Sequence, residues 1–158
     1  MAGIIATAFT AKLALTASTR KTLVQITAPA NQRVKILRWS VFFDEEIGDA
    51  TPAIPLLVSV GKQSGGTGSA NTPIKNIVAA ETLQTIAKDN FTVAATTTVM
   101  SSKVINAQTG YEVMFPMGQE IILAGGELFG IDVTPGTVIS TGIGATGLHA
   151  VATITYEE

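Results

Sequence analysis

The chain has 158 residues, 46% hydrophobic and only 14% charged, with a formal net charge of −2 and a pI near 5.4. That length suits one domain able to bury about two-thirds of its unfolded surface. The absence of cysteine excludes disulfides, thiolate metal sites and cysteine nucleophiles, and an acidic balance without clustered Lys and Arg excludes a direct nucleic-acid interface.

A soluble domain usually carries about 25% charge. This chain has too little to solvate its whole surface, so part of that surface is expected to be buried against other chains. The apolar stretch over residues 1–18 invites comparison with a secretory signal, but no basic segment precedes it and Lys12 interrupts it. Phe9, Ala11, Leu13 and Leu15 instead alternate with polar residues, which predicts an extended strand or arm over about residues 1–20. No apolar run reaches the length of a membrane span, so a soluble protein made in the cytoplasm is expected.

Leu23, Val24 and Ile26 predict a second strand, ended by Pro29 and Asn31. Val34 to Phe43 is the most strand-like segment. Its apolar positions change parity at Ile36 and Leu37, so either a β-bulge shifts the phase or both faces are covered. Asp44 to Pro52 reads as an acidic loop, and Ile54, Leu56, Val58 and Val60 as a further strand. Gly61 to Pro73, rich in Gly and Ser, reads as a flexible exposed loop. Ile74 to Asp89 fits two short strands about as well as one short helix around residues 75–88. Phe91 to Val99 alternates as a long Thr-rich strand, Ser101-Ser102-Lys103 reads as a turn, and Tyr111, Val113 and Phe115 form a strand stopped by Pro116. Gly118 to Val133 reads as a hairpin whose tight turn is Gly125-Gly126. Pro135-Gly136 and Gly142, Gly144 and Gly147 mark turns and a loop, and the last strand sets Leu148, Ala150, Ala152, Ile154 and Tyr156 on one face. About eight to ten strands predict a single all-β domain over residues 1–158, an antiparallel β-sandwich of jelly-roll-like form or a related barrel.

Candidate chemistry is sparse. The glycines between Gly61 and Gly68 lack the Lys-Ser/Thr of a phosphate-binding loop. Asp44, Glu45, Glu46 and Asp49 offer oxygen ligands without the EF-hand spacing and read as a solvated loop. His149, the one histidine, lies mid-strand with no Gly-x-Ser-x-Gly elbow in the chain, and Asn90-Phe91-Thr92 matches a glycosylation acceptor only by chance. Trp39, Phe42 and Phe43 read as core aromatics rather than a stacking platform. Arg33, Lys35 and Arg38 suit either a solvated face or salt bridges across an interface. No catalytic, cofactor-binding or metal residue is assigned. The contact candidates are Phe9, Leu13, Arg33, Lys35, Arg38, Trp39 and Tyr156.

The run Phe115-Pro116-Met117-Gly118-Gln119-Glu120, continuing through Gly125-Gly126 to Gly130-Ile131, resembles small β-sandwich structural proteins of tailed bacteriophages. The pairing of Thr27–Ile36 with Trp39–Asp44 and the acidic final strand Thr153–Glu158 share that resemblance, whereas Ile74–Asp89 has no counterpart in it. It implies a non-enzymatic virion protein of the capsid decoration or cement type, a homo-oligomer and by preference a trimer. Its partners would be copies of itself and other virion proteins such as the major capsid protein, with no membrane or direct nucleic-acid contact, on the capsid surface. The alternatives are a tail or fibre module binding host carbohydrate through loops at Asp44–Pro52 or Gly61–Pro73, a jelly-roll capsid subunit, and a cupin-like enzyme. A lone histidine argues against the enzyme.

Overall fold

A computed structural model describes residues 3–44, 55–76, 80–107, 109–136 and 148–158. These contain strands and no helix. In chain order the strands are β1 (Ile5–Phe9), β2 (Leu13–Ala14), β3 (Lys21–Thr27), β4 (Val34–Asp44), β5 (Pro55–Ser64), β6 (Thr67–Asn71), β7 (Ile74–Lys75), β8 (Ile86–Val93), β9 (Thr96–Asn106), β10 (Tyr111–Met114), β11 (Ile121–Leu123), β12 (Leu128–Pro135) and β13 (His149–Glu157). They form two antiparallel sheets. Sheet A runs β10-β4-β13-β1-β7, with β11 also on β4 and β2 on β13, and sheet B runs β6-β8-β3-β12-β5-β9. The inward faces enclose one core, in which Leu23, Ile26, Ile36, Leu56, Leu123, Phe129, Ile131, Ile154 and Tyr156 are fully buried. Each such side chain contributes about 1.5–3 kcal/mol by leaving water, which makes the sandwich the stable arrangement of strands that are apolar on alternate positions.

The parity change in β4 is a bulge. Thr155 faces Arg38 while Tyr156 faces Ile36, so Leu37 is the extra residue, and Val34 and Ile36 before it share the core face with Trp39 and Val41 after it. The final strand keeps strict alternation, with Ala150, Ala152, Ile154 and Tyr156 buried.

Other expectations are corrected. Gly118–Val133 is no hairpin, because β11 pairs with β4 in sheet A and β12 pairs with β3 and β5 in sheet B. The Gly125-Gly126 turn is instead a corner that carries the chain between sheets. It is closed by Glu127 N–H donating to Ala124 O (3.0 Å), with Gly126 at φ 81°. A Cβ at Gly125 would crowd the Ala30 carbonyl, so glycine is needed for the close approach as well as for the turn. The Gly-Ser stretch from Gly61 is largely strand, the end of β5 and all of β6. Ser101-Ser102-Lys103 lies inside β9 opposite Val60, Ser59 and Val58, and the Thr-rich strand expected over Phe91–Val99 is broken at Ala94-Ala95 into β8 and β9. Of the two readings of Ile74–Asp89, two short strands or one short helix around residues 75–88, the described residues show strands, with β7 and β8 flanking a bend at Ala80-Glu81. Of the strand or arm expected over about residues 1–20, the strand is seen, with β1 paired with β13 and β7 and β2 paired with β13. The acidic positions 45–52, Ile54, residues 77–79, and Gly142, Gly144 and Gly147 lie outside the described residues.

Candidate interaction surface

The seven contact candidates divide by depth. Leu13, Trp39 and Tyr156 are buried in the chain's own core, Trp39 with its ring 5.5 Å from that of Tyr111. Their apolar surface is already covered within the subunit. Phe9, Lys35 and Arg38 lie together on the outer face of sheet A, and Arg33 is exposed just before β4. That face is a band of hydroxyls, with Ser40 bonded to Thr153 (2.6 Å) and Thr7 to Thr155 (3.1 Å). Lys35–Glu157 (3.2 Å) and Arg38–Glu112 (3.5 Å) bracket it. Of the cations read as donors across an interface, Lys35 and Arg38 thus have carboxylate partners within the chain, and as largely exposed pairs they contribute little stability.

Sequence reasoning missed the polar group inside sheet B. Asp132 alternates with the core residues Ile131 and Val133 on β12, so it points away from the core, yet it is buried. Its Oδ1 accepts from Thr22 Oγ1 (2.7 Å) and Gln63 Nε2 (3.0 Å), its Oδ2 accepts from Thr97 Oγ1, and Arg20 Nε stands 3.9 Å away. Gln25 Nε2 donates to Gln63 Oε1 (2.9 Å), and Thr22 Oγ1 accepts from Ala95 N–H (2.9 Å). The cover over this group is the pair of short crossings Gly65-Gly66 and Ala94-Ala95, which meet where a Cβ on Gly66 would lie 3.0 Å from that of Ala95. Arg20 Nη2 holds the second crossing by donating to Ala95 O (2.5 Å). Gly130 leaves the space that Gln63 occupies, since a Cβ there would collide with Gln63 Oε1 and approach Val24 O at 2.7 Å. With both carboxylate oxygens accepting hydrogen bonds and Arg20 close by, the group locks the crossings in place. A signal for it existed in the sequence: Asp132 interrupts the apolar run from Leu128 to Val133.

Two other polar sites are structural. Lys12 pairs with Asp44, and the hydrogen bond from that ammonium holds the Asp44 carboxyl below its usual range. Lys62 (2.5 Å) does the same for Glu127 at the inter-sheet corner, assisted by the Ala124 N–H. At the chain end, Glu158 accepts from the N–H groups of Gln84 and Thr85 (both 2.8 Å). Burial, reinforced by the charge of Glu158, pushes the Tyr156 hydroxyl well above the usual phenol range. That hydroxyl lies beside Thr85, yet neither group meets hydrogen-bond geometry. No group of three or more His, Asp or Glu among the described residues is placed to hold a metal. His149 sits on β13 opposite Ala14 and Asp44.

What remains is the open side of the sandwich. β9 is the last strand of sheet B, eleven residues long, paired only with β5 and exposed along nearly all its length. Val99, Met100 and Val104 are each more than half exposed, and Leu57 is exposed directly opposite Val104. Across from it, at the β10 and β11 edge of sheet A, an apolar cleft of about 210 Å³ opens between the sheets, with Met100 and Ser101 on one rim and Val113, Phe115 and Ile121 on the other. Trp39 and Val60 also line it. Met114 and Met117 stand beside Val113 and Phe115, Met117 at 90% exposure, so every described methionine lies on this side of the molecule. Thioether side chains adapt to irregular partners, and an edge strand offers unpaired backbone groups besides.

A scan against family models, a search of curated proteins and a search of solved structures each returned no match. The fold and the surface chemistry thus carry the functional reading.

Proposed function

We propose that this protein is a non-enzymatic structural component of a tailed-bacteriophage virion, of the capsid decoration or cement type. It acts as a homo-oligomer, with a trimer suiting local threefold positions, seated on the major capsid protein. The observation that carries the reading is the open side just described, a long exposed edge strand bearing Val99, Met100 and Val104 beside an apolar cleft, on a chain with few charges. A contact protein needs such a surface, and an isolated monomer is harmed by it. A non-enzymatic role is further supported by the buried Asp132, whose two oxygens both accept hydrogen bonds within the chain, and by a chain with one histidine and no cysteine. The host-carbohydrate reading loses part of its basis, because the Gly61–Pro73 segment is mostly β-strand.

Cryo-electron microscopy of purified particles tests the reading. The expected result is density for this sandwich on the outer shell in symmetric clusters. Its absence from the shell, or its presence only in tail fibres, would overturn the decoration role.

A further inference from the structure

We propose that Thr97 and Gln63 join in an ester cross-link, formed within the chain with release of ammonia, and that Asp132 moves the proton. The strand register brings the three together. Gln63 on β5 faces Thr97 on β9 directly, and Asp132 lies on β12, the strand on the other side of β5. Gln63 Nε2 donates to Thr97 Oγ1 (3.1 Å) and to Asp132 Oδ1 (3.0 Å), and the Thr97 hydroxyl donates to Asp132 Oδ2. Thr97 thus touches both the carboxylate and the amide. Thr22, the other hydroxyl on this carboxylate, accepts from Ala95 N–H instead.

Each group has a part in the reaction. A threonine hydroxyl is a weak nucleophile until an adjacent base takes its proton, and Asp132 Oδ2 is in place to do so. The amide carbon is one C–N bond of about 1.33 Å from Nε2, so Thr97 Oγ1 stands roughly 4 Å from it. That is close to the separation of about 3–3.5 Å from which bound groups react. Attack forms the C–O bond and places negative charge on Gln63 Oε1, which Gln25 Nε2 meets with a hydrogen bond (2.9 Å). The carboxyl group of Asp132 also contacts Nε2 and returns the proton there as the C–N bond breaks. Nitrogen leaves as ammonia, the Asp132 carboxylate is restored, and no oxidant or water is consumed.

The surroundings favour the product. Gln25, Gln63 and Asp132 are buried beneath the crossings at Gly65-Gly66 and Ala94-Ala95. Ammonia dilutes away and the cover keeps water out, so neither reversal nor hydrolysis has its reactant at hand. Gly130 leaves room for the new centre, since a Cβ there would collide with Gln63 Oε1. The bond would weld the sheet edge. β9 pairs with β5 alone, and it carries Val99, Met100 and Val104 on the exposed side. An ester between residues 34 positions apart fixes that strand to the body of sheet B and closes the intervening loop. The group acts once and on its own chain, so the cross-link involves no turnover and does not depend on which assembly the protein joins.

Mass spectrometry of the denatured full chain tests the proposal without any variant. The expected mass lies below that of the sequence by one ammonia. A tryptic digest, cutting after Lys62, Lys75, Lys88 and Lys103, should then hold residues 63–75 and 89–103 as one joined species that hydroxylamine separates. Thr97→Val keeps the shape but removes the nucleophile and should show the full sequence mass, whereas Thr97→Ser should still cross-link. Gln25→Met should cross-link about 10²–10³-fold more slowly, the usual loss when one donor to a developing oxyanion is removed. The full sequence mass with separate linear peptides, after prolonged incubation of the folded wild-type chain, would overturn the proposal and leave the group a hydrogen-bonded lock. So would a joined species that maps to other residues or persists in Thr97→Val. Particle microscopy that finds the chain away from the shell refutes the function proposed above and leaves this cross-link untouched.

Discussion

Replacing Asp132 with alanine tests whether the buried group holds sheet B together. The substitution removes an acceptor that receives hydrogen bonds from Thr22 at 2.7 Å, from Gln63 at 3.0 Å and from Thr97, in a site about 1% exposed. Hydrogen bonds to a charged group contribute about 1.5–3 kcal/mol each, but they are not additive, and the two hydroxyls can turn toward other acceptors. Losing one member of a buried charged network costs about 3–5 kcal/mol. At this chain length each kcal/mol lowers Tm by about 2–4 °C, so a fall of roughly 6–20 °C is expected. Asp132→Asn keeps the volume but turns an amide N–H₂ toward donors, and about 1–3 kcal/mol is expected. Urea unfolding followed by circular dichroism and by the fluorescence of Trp39 measures both, with Glu112→Ala, which breaks an exposed pair, as the reference near zero. A loss below about 1 kcal/mol for Asp132→Ala would refute the claim that this group fixes the crossings.

Other substitutions probe separate parts of the structure. Tyr156→Phe deletes a buried hydroxyl with no hydrogen-bond partner, so thermal unfolding at neutral pH should show no loss and up to about 1 kcal/mol of gain. Because the folded state raises the Tyr156 pKa, its contribution is intact below the unfolded value near 10. It falls as pH rises beyond that by up to about 1.4 kcal/mol per unit, a decline Tyr156→Phe should lack when stability is compared at pH 10 and above. Gly130→Ala should cost ~2 kcal/mol or more by driving a methyl group into Gln63 and the Val24 carbonyl; chemical denaturation with no change would refute the packing argument. Leu123→Ala, in the fully buried position of β11, should cost about 2–5 kcal/mol by the same assay.

Local signals carried much of the fold. Hydrophobic alternation located the centres of β3, β4, β5, β10 and β13, and the parity slip at Leu37 marked a real bulge, because burial on one face leaves a two-residue period in any strand. The same signals failed where the chain changes direction without a sequence cost. Gly125-Gly126 supplies the same turn chemistry whether the next strand pairs with the last or crosses to the other sheet. Thr and Ser between Thr96 and Ser102 look alike as turn or as edge strand. The short crossings at Gly65-Gly66 and Ala94-Ala95 exist only because sheet B folds them over its outer face.

The candidate surface divided in the same way. Lys35 and Arg38 were legible as polar positions of an apolar strand, but Phe9, Leu13, Trp39 and Tyr156 are equally apolar whether they meet a partner or their own core, and only packing left Phe9 outward and assigned the others to the core. By itself the sequence determined an all-β chain, short of charge, without cysteine and with one histidine, since composition and period are properties of residues and their neighbours. The tertiary structure decided which strands share a sheet, that Asp132 is enclosed by donors from three strands, and that β9, paired with β5 alone, forms a sheet edge beside an apolar cleft. Those facts depend on contacts between residues tens of positions apart, which no local pattern records.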